Sequence, residues 1–276
     1  MNIAENTGVD QLSEAIETEA LRELHRAAPP HLRESMGLRL ETVEGATASV
    51  AARGANIVLN RVIGLGTSSS ANRGQLDTIR KIYSDAGVNR YFIHAAASAR
   101  PAPLTEFLET AGFVKDRAWM KFVRQGGAVE EPSRDLDIRE IDAEHARDFG
   151  RIAGRAFGLG EPAWELLAGL VGRPGWRIFM SFDAETPAGT GALFVRGDIG
   201  WTDWGATDPA FRRRGSQSAL LARRVNTAAS MGCRLLCTCT GEAVDDEDQH
   251  SYRNILRAGF TRAGLRPNYS PTGRPV

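Results

Sequence analysis

The feature that most constrains this chain is an order of elements that occurs twice. Each copy reads as a helix stopped by Gly, an apolar strand, a short helix ending in Ala-Gly-Phe, and a further strand. The first copy runs through QLDTIRKIYSDAG, VNRYFIHAAA and FLETAGFVKDRAWMKFVR, and the second through SALLARRVNTAASMG, CRLLCTCT and ILRAGFTRAGLRPNYS. From the stopping Gly to the Gly of Ala-Gly-Phe is 25 residues in the first copy (Gly87 to Gly112) and 27 in the second (Gly232 to Gly259). Order and spacing together are harder to obtain by chance than one shared tripeptide. At roughly 100 to 200 residues per domain, a 276-residue chain has room for two such units. Between them QGGAVEEPSRDLD loses apolar periodicity and collects Gly, Pro and charge, as a linker does. The expected division is 1–126, a linker over 127–135, and 136–276.

The second copy is the more legible. DIREIDA reads as a strand entering a helix near Ala143 to Phe157, and a second helix follows Pro162, a residue suited to a first turn. WRIFMSF, TGALFVR and GWTDWGAT are three strand-like segments separated by turn residues. A long helix from Ser216, the cysteine strand, a helix from Gln249 and a last strand complete it. The first copy begins with helix signals from Val9 to Ala27, then strands in LRLETVE, TASVAAR and NIVLNRVIGLG. Both copies predict a mixed α/β fold with helices covering a sheet.

Thirty-four Lys plus Arg balance thirty-four Asp plus Glu, which removes any chain-wide attraction to nucleic acid or an anionic membrane. With no basic aromatic platform, a nucleic-acid binder is disfavoured. No apolar run approaches the roughly 18 to 20 residues of a membrane span. The N-terminus is acidic and polar where a signal peptide is basic and then apolar. A cytoplasmic protein without membrane association is expected. Cys233, Cys237 and Cys239 are odd in number and lie in an apolar stretch, so free thiols packed on a buried strand are expected, and no metal site.

The most informative stretch is Trp201 to Leu221, WTDWGATDPAFRRRGSQSALL. A strand ends at Gly205 to Thr207, Pro209 turns the chain, and Arg212 to Gln217 lead into a helix. Amides at a helix N-terminus have no partners within the helix and, with the helix dipole, attract anions. Gly215 lets the backbone approach a phosphate, and the arginines add charge-assisted contacts. A solvated basic turn capped by Ser216 accounts for the same residues on physical grounds alone. Nucleotide hydrolysis is not indicated, because no Gly-Lys-Ser/Thr follows.

Arg212-Arg-Arg-Gly215-Ser-Gln217, after a strand and before a helix, resembles the acyl-CoA loop of the GNAT superfamily of N-acyltransferases, Gln/Arg-x-x-Gly-x-Gly/Ala. Ser251-Tyr-Arg-Asn-Ile-Leu-Arg-Ala-Gly-Phe260 resembles that family's later helix, and the likeness spans about Leu136 to Pro271. The first half looks like a degenerate second copy, so the whole chain is similar to tandem GNAT proteins, whose sheet is central and mostly antiparallel. Two positions depart from the pattern. Gln217 stands where Gly or Ala is usual, and Ile255 stands where many members have a Tyr that serves as general acid.

The resemblance implies acetyl-CoA as cosubstrate, no metal, and direct transfer of an acetyl group to an amine, most readily a small molecule. The backbone of Gly205, Ala206 and Thr207 would pair with the pantetheine arm, and the amides of Arg213, Arg214, Gly215, Ser216, Gln217 and Ser218 would hold the pyrophosphate. Arg212 and Arg214 would add side-chain contacts and Asn254 would reach the cofactor, while Arg223 and Arg224 are expected to be solvated. A backbone amide near Ala206 or Thr207 would polarise the thioester carbonyl. For the general base, Glu242 after the cysteine strand is preferred over Asp203, because open α/β sheets place ligands at the C-terminal ends of strands. Asp203 suits a turn or cap equally well, and the acidic run 245–248 reads as a solvated loop. Tyr252 and His250 are the candidates for returning a proton to sulfur. Trp201 and Trp204 fit either an acceptor cleft or the core. His25, His31, His94 and His145 have no companions at triad or ligand spacing. In the first copy the corresponding loop, Gly64 to Gly74, lacks Arg-x-x-Gly, so that half is expected to bind acyl-CoA weakly or not at all and to shape the cleft instead. The alternative reading is a CoA-binding or sensory protein without turnover. The acceptor, the acyl length and the oligomeric state, including a homodimer, stay open.

Overall fold

The computed structural model describes residues 3–53, 56–133, 135–244 and 249–271, so the acidic run 245–248 and residue 134 of the expected linker lie outside the described residues. The chain forms two compact units, Met1–Lys121 with Ala263–Val276, and Phe122–Arg262. This division departs from the one expected at the linker, because the last strand counts with the first unit. Contiguous sequence carries no mark of such an exchange.

The first unit opens with α1 (Ile3–Ala27) and α2 (Pro30–Met36), followed by β1 (Leu38–Val43), β2 (Ala46–Ala51) and β3 (Arg61–Ile63). Then come α3 (Arg73–Asp85), β4 (Phe92–His94), α4 (Leu104–Thr110) and β5 (Val114–Gln125), the last crossing the boundary. Its strand order is β1-β2-β3-β4-β11-β5, where β11 is Thr261–Ser270. β1 to β3 are antiparallel neighbours, β3 and β4 are parallel, and β11 runs antiparallel to β4 with Asn268 opposite His94. The core gathers Val50, Val62, Leu76, Ile79, Tyr83, Tyr91, Ile93, Leu108, Phe113 and Tyr269. Tyr83 stacks on Tyr91 at 3.8 Å between ring centres and donates its hydroxyl to the Ser49 carbonyl.

The second unit contains β6 (Asp137–Glu140), a 3-10 turn at Ala143–His145, α5 (Ala146–Ala156), α6 (Glu161–Ala168), β7 (Trp176–Asp183), β8 (Thr186–Arg196) and β9 (Ile199–Thr207). A further 3-10 turn, Pro209–Phe211, leads to α7 (Ser216–Ser230), β10 (Leu235–Gly241) and α8 (His250–Arg257). The strand order is β10-β9-β8-β7-β6, antiparallel except for β9 with β10. Helix α7 packs on β7, β8 and β9, and α5 on β8 and β9. The mixed α/β class expected from the sequence is the class observed. Among the described residues no helix is long and apolar enough to cross a membrane.

Candidate active site

Strand β9 carries a bulge at the position the sequence marks with Trp204 and Gly205. Against β8, Ala192 lies opposite Asp203 and Thr190 opposite Ala206, so β9 has one residue more than its partner. Such an insertion bends the strand and re-aims the residues beyond it. Trp204 takes φ +51°, and its conformation is held from three sides. Asp203 Oδ1 accepts from the Trp204 amide at 2.8 Å, Asp203 Oδ2 accepts from the Trp201 indole at 3.0 Å, and the Trp204 carbonyl accepts from Thr190 Oγ1 at 2.9 Å. Both tryptophans are buried, and Phe157, at the end of α5, meets the Trp204 ring edge-on at 5.0 Å. They belong to the core beneath the bulge.

Arg224 completes the frame. Sequence reasoning expects a solvated helix residue, but its side chain is buried under the bulge, with Nη1 donating to the Asp203 carbonyl at 3.2 Å and Nε to the Leu220 carbonyl at 3.0 Å. Burial lowers its pKa to about 10, with the Asp203 carboxylate opposing that shift. The space exists because position 191 is Gly, where a Cβ would come within 2.8 Å of the guanidinium. That glycine is the one available sequence signal, and it is legible only when the pairing is known.

The paired register of β9 with β10 ends at Trp201, before the bulge. Their paired register covers Ile199–Trp201 with Leu235–Cys237, after which both strands run on to Thr207 and Gly241. Thr238 Oγ1 donates to the Thr202 carbonyl at 2.9 Å. Past that point lie Gly205, Ala206 and Thr207 on β9 and Glu242 just after the end of β10.

The loop after β9 leads to the N-terminus of α7. Arg213 and Gly215 adopt left-handed backbone, φ +63° and +78°, and Gly215 is the cap position with no side chain covering the helix end. The first-turn amides have no acceptor within the helix. The corresponding helix of the first unit differs: Asn72 caps α3 by accepting from the Gln75 amide, and the Gln75 side chain accepts in return from the Asn72 amide. Asn72 also donates to the Glu44 carboxylate at 3.3 Å. One helix end is closed by its own side chains next to a carboxylate, and the other is open.

The arginines of the loop divide in role. Arg214 forms a two-pronged pair with Asp183 on β7 at 2.8 and 3.0 Å, which raises the Arg214 pKa and lowers that of Asp183. The pair holds the Arg214 guanidinium against the end of β7. Arg212 and Arg213 are exposed. The Ser216 hydroxyl is buried and bonds Ser181 Oγ at 2.8 Å, so only its amide is turned to the loop. The Gln217 carboxamide donates to the Ala206 carbonyl at 2.6 Å and to Thr207 Oγ1 at 3.1 Å, tying the helix to the end of β9. Ser218 Oγ donates to Asn254 on α8 at 3.4 Å.

The remaining candidates are spread over the C-terminal edge of the unit. Glu242 is half-buried beyond β10. Asp203 has both carboxylate oxygens occupied by N–H donors of its own strand, which suits a structural acid better than a base. Tyr252 is buried on α8 with its ring edge-on to Phe122 at 4.9 Å, and its oxygen accepts from Arg262 Nε at 2.6 Å. Ile255 is buried on the same helix. His250 is exposed at the first turn of α8. Among the described residues no group of three or more His, Cys, Asp or Glu is placed to hold a metal ion.

Comparison with family profiles and with curated proteins gives no match. Comparison with solved structures does. A GCN5-related N-acetyltransferase from Kribbella flavida superposes with a TM-score of 0.66 at 16% identity, covering 94% of this chain and 95% of that one. One from Sphaerobacter thermophilus gives 0.60 at 16% identity, covering 82% and 76%. A protein of unknown function from Staphylococcus epidermidis gives 0.58 at 12% identity, covering 89% and 98%. The fold of this chain is that of the GCN5-related N-acetyltransferases, over nearly its whole length.

Proposed function

We propose that the second unit is an N-acyltransferase that takes an acetyl group from acetyl-CoA and gives it to an amine in one ternary complex. The observation that carries this reading is the uncapped N-terminus of α7 set directly after the bulged end of β9. The amides of Arg213 to Ser218 cradle the pyrophosphate, with the exposed Arg212 and Arg213 adding charge, and the edge of β9 at Gly205 to Thr207 receives the pantetheine. The same observation argues for a single site per chain, because the matching helix of the first unit is closed by its Asn72 and Gln75 box.

When bound, acetyl-CoA supplies an acyl group activated as a thioester. The chain supplies position, polarisation and proton transfer. An amide near Ala206 or Thr207 donates to the thioester carbonyl as negative charge develops there. Glu242 takes the proton released as the amine nitrogen bonds the acyl carbon, and the Tyr252 hydroxyl returns one to sulfur as the carbon–sulfur bond breaks. Arg262, donating to the Tyr252 oxygen, fixes the position of that hydroxyl. His250 is the alternative donor at the same helix.

Calorimetric titration of the whole chain with acetyl-CoA tests the reading, followed by free-thiol release across a panel of small amines. One site per chain with amine-dependent thiol release is the expected result. Binding without release from any amine favours a CoA-responsive protein, a reading to which the buried Ile255 and the fully engaged Asp203 lend weight. No binding removes both.

A further inference from the structure

A cavity of about 220 Å3 opens in the first unit, far in sequence from the cofactor loop, and is lined by Arg22, His25, Arg26, Arg33, Leu38 and Leu40. Arg22 and Arg26 are one turn apart on α1 and share a face, and Arg33 comes from α2. Leu38 and Leu40 are alternate residues of β1 and so point to the same side of the sheet. Three guanidiniums therefore meet an imidazole and a short hydrocarbon wall.

The guanidiniums are anchored. Arg22 donates to Glu19 at 2.5 Å and Thr47 Oγ1 at 2.9 Å, Arg26 to Glu23 at 2.5 Å, and Arg33 Nε to the Ala28 carbonyl at 2.9 Å. Each fork carries five N–H groups, so these contacts hold the side chains in place and use only part of their donors. Three cations, Arg22, Arg26 and Arg33, stand against two carboxylates, Glu19 and Glu23, which leaves an excess of one positive charge.

His25 does not add to that excess. The Ser49 hydroxyl spends its proton on the Leu59 carbonyl at 2.6 Å, so His25 Nε2, 2.8 Å from Ser49 Oγ, must be the protonated nitrogen. Burial lowers the His25 pKa to about 4, and the charges of Arg33 and Arg61 push in the same direction. The imidazole is neutral at neutral pH and faces the positive charges of Arg33 at the cavity and of Arg61 on β3.

We propose that this cavity binds a small organic carboxylate, its anionic head bridged by Arg22, Arg26 and Arg33 and its short hydrocarbon body laid on Leu38 and Leu40. Planar guanidinium forks match a carboxylate, one net charge matches a monoanion, and the leucines favour a hydrocarbon over a bare inorganic ion. The volume is below the roughly 300–1,000 Å3 of drug-sized sites, which limits the ligand to a few carbons. The site is independent of the acyl-CoA reading, since none of its residues belongs to the second unit.

The test is a titration of the whole chain at neutral pH and low salt with hexanoate, acetate and inorganic phosphate, followed by calorimetry and by the imidazole resonances of His25. Hexanoate is expected to bind once per chain, about tenfold more tightly than acetate or phosphate, and to raise the His25 pKa, because a bound anion favours the imidazolium. Arg26→Gln and Arg33→Gln, both at exposed side chains, are each expected to weaken hexanoate about tenfold while leaving the acetyl-CoA titration unchanged. Absence of heat and of any His25 shift at about 10 mM hexanoate overturns the proposal. So does phosphate binding as tightly as hexanoate, or wild-type affinity in both variants.

Discussion

Arg266, six residues into the last strand, donates to both carboxylate oxygens of Glu17 on the first helix, at 2.7 and 3.1 Å, with both side chains out of contact with water. Arg266 also reaches Glu14 at 2.6 Å, while Lys121 and Arg61 each bond Glu17 at 2.7 Å. The C-terminal strand is thus locked into the first unit by charge as well as by backbone pairing. Removing one member leaves the others charged in a site that solvates them poorly, at a cost of about 3–5 kcal/mol. Arg266→Met is expected to lower the unfolding free energy of the first unit by that amount in urea. A loss below about 1 kcal/mol would mean that the network is screened as surface pairs are.

The same cluster makes stability depend on pH. Burial by itself raises the Glu17 pKa, and the cations of Arg266, Lys121 and Arg61 outweigh it, holding the carboxyl well below its ordinary range. A carboxyl with a depressed folded pKa contributes fully above its unfolded value, about 4.3, and the contribution fades as pH falls through the folded one. His25 and His94 act at a higher pH. Burial is the main cause holding both imidazoles below their usual value, His25 at about 4. The unfolded chain therefore binds protons first as pH falls below about 6.5. For His25 the loss reaches about 3 kcal/mol by pH 4. Denaturation midpoints between pH 7 and 4 should fall steadily, and less steeply in His25→Gln. A flat profile down to pH 5 would contradict the neutral buried imidazoles.

How much of this molecule is legible in its sequence depends on the range of the forces involved. The Gly stops, the Pro209 turn and the Arg212 to Gln217 loop are local signals, and each element they predict is present. The capping box of Asn72 and Gln75 is also local, since both partners lie within one turn, yet it is easily lost beside the serines of Gly64 to Gly74. The Arg266 to Glu17 pair, the exchange of β11 and the burial of Arg224 join residues far apart in the chain. Nothing within a window of one helix or strand distinguishes Arg224 from its neighbour Arg223, because the difference is made by Gly191 on another strand. Asp203 is ambiguous for a related reason: its two donors, Trp201 and Trp204, become its partners only once the bulge has formed.

The loop before α7 gives a prediction in which folding and binding separate. Gly215 sits at φ +78° with its amide at the helix end, so a side chain there costs about 1–2 kcal/mol in backbone strain and, on the proposed function, projects into the phosphate cradle. Gly215→Glu is expected to abolish acetyl-CoA binding with a circular dichroism spectrum like that of the parent. Gly215→Asn, which tolerates left-handed backbone and adds no charge, should retain measurable affinity. Equal binding by parent and Glu variant would remove the pyrophosphate from this loop.

Arg214 and Asp183 predict a gain. Their pair turns the Arg214 guanidinium to β7, and Asp183 places a negative charge near a loop proposed to receive a pyrophosphate. Asp183→Asn removes that charge and loosens Arg214. Acetyl-CoA should then bind more tightly by a factor of about three to ten at low salt, an advantage that shrinks as added salt screens it. Weaker binding in this variant would show that the pair is needed to shape the loop.

Gly191 and Arg224 predict a non-additive pair. A Cβ at position 191 approaches the Arg224 guanidinium to 2.8 Å, too close unless the arginine shifts, and a shift breaks the bond to the Asp203 carbonyl that supports the bulge. Gly191→Ala should therefore destabilise the second unit and, on the proposed function, raise the KM for acetyl-CoA more than it lowers kcat, because the damage is to the strand proposed to receive the cofactor. Arg224→Met alone should cost about 3 kcal/mol, since it strands buried carbonyls and the Asp203 charge. In the double variant the methionine makes room for the new methyl, so the two losses should sum to more than the measured total by about 1 kcal/mol. Strict additivity in urea unfolding would show that Arg224 and Gly191 do not share the space beneath the bulge.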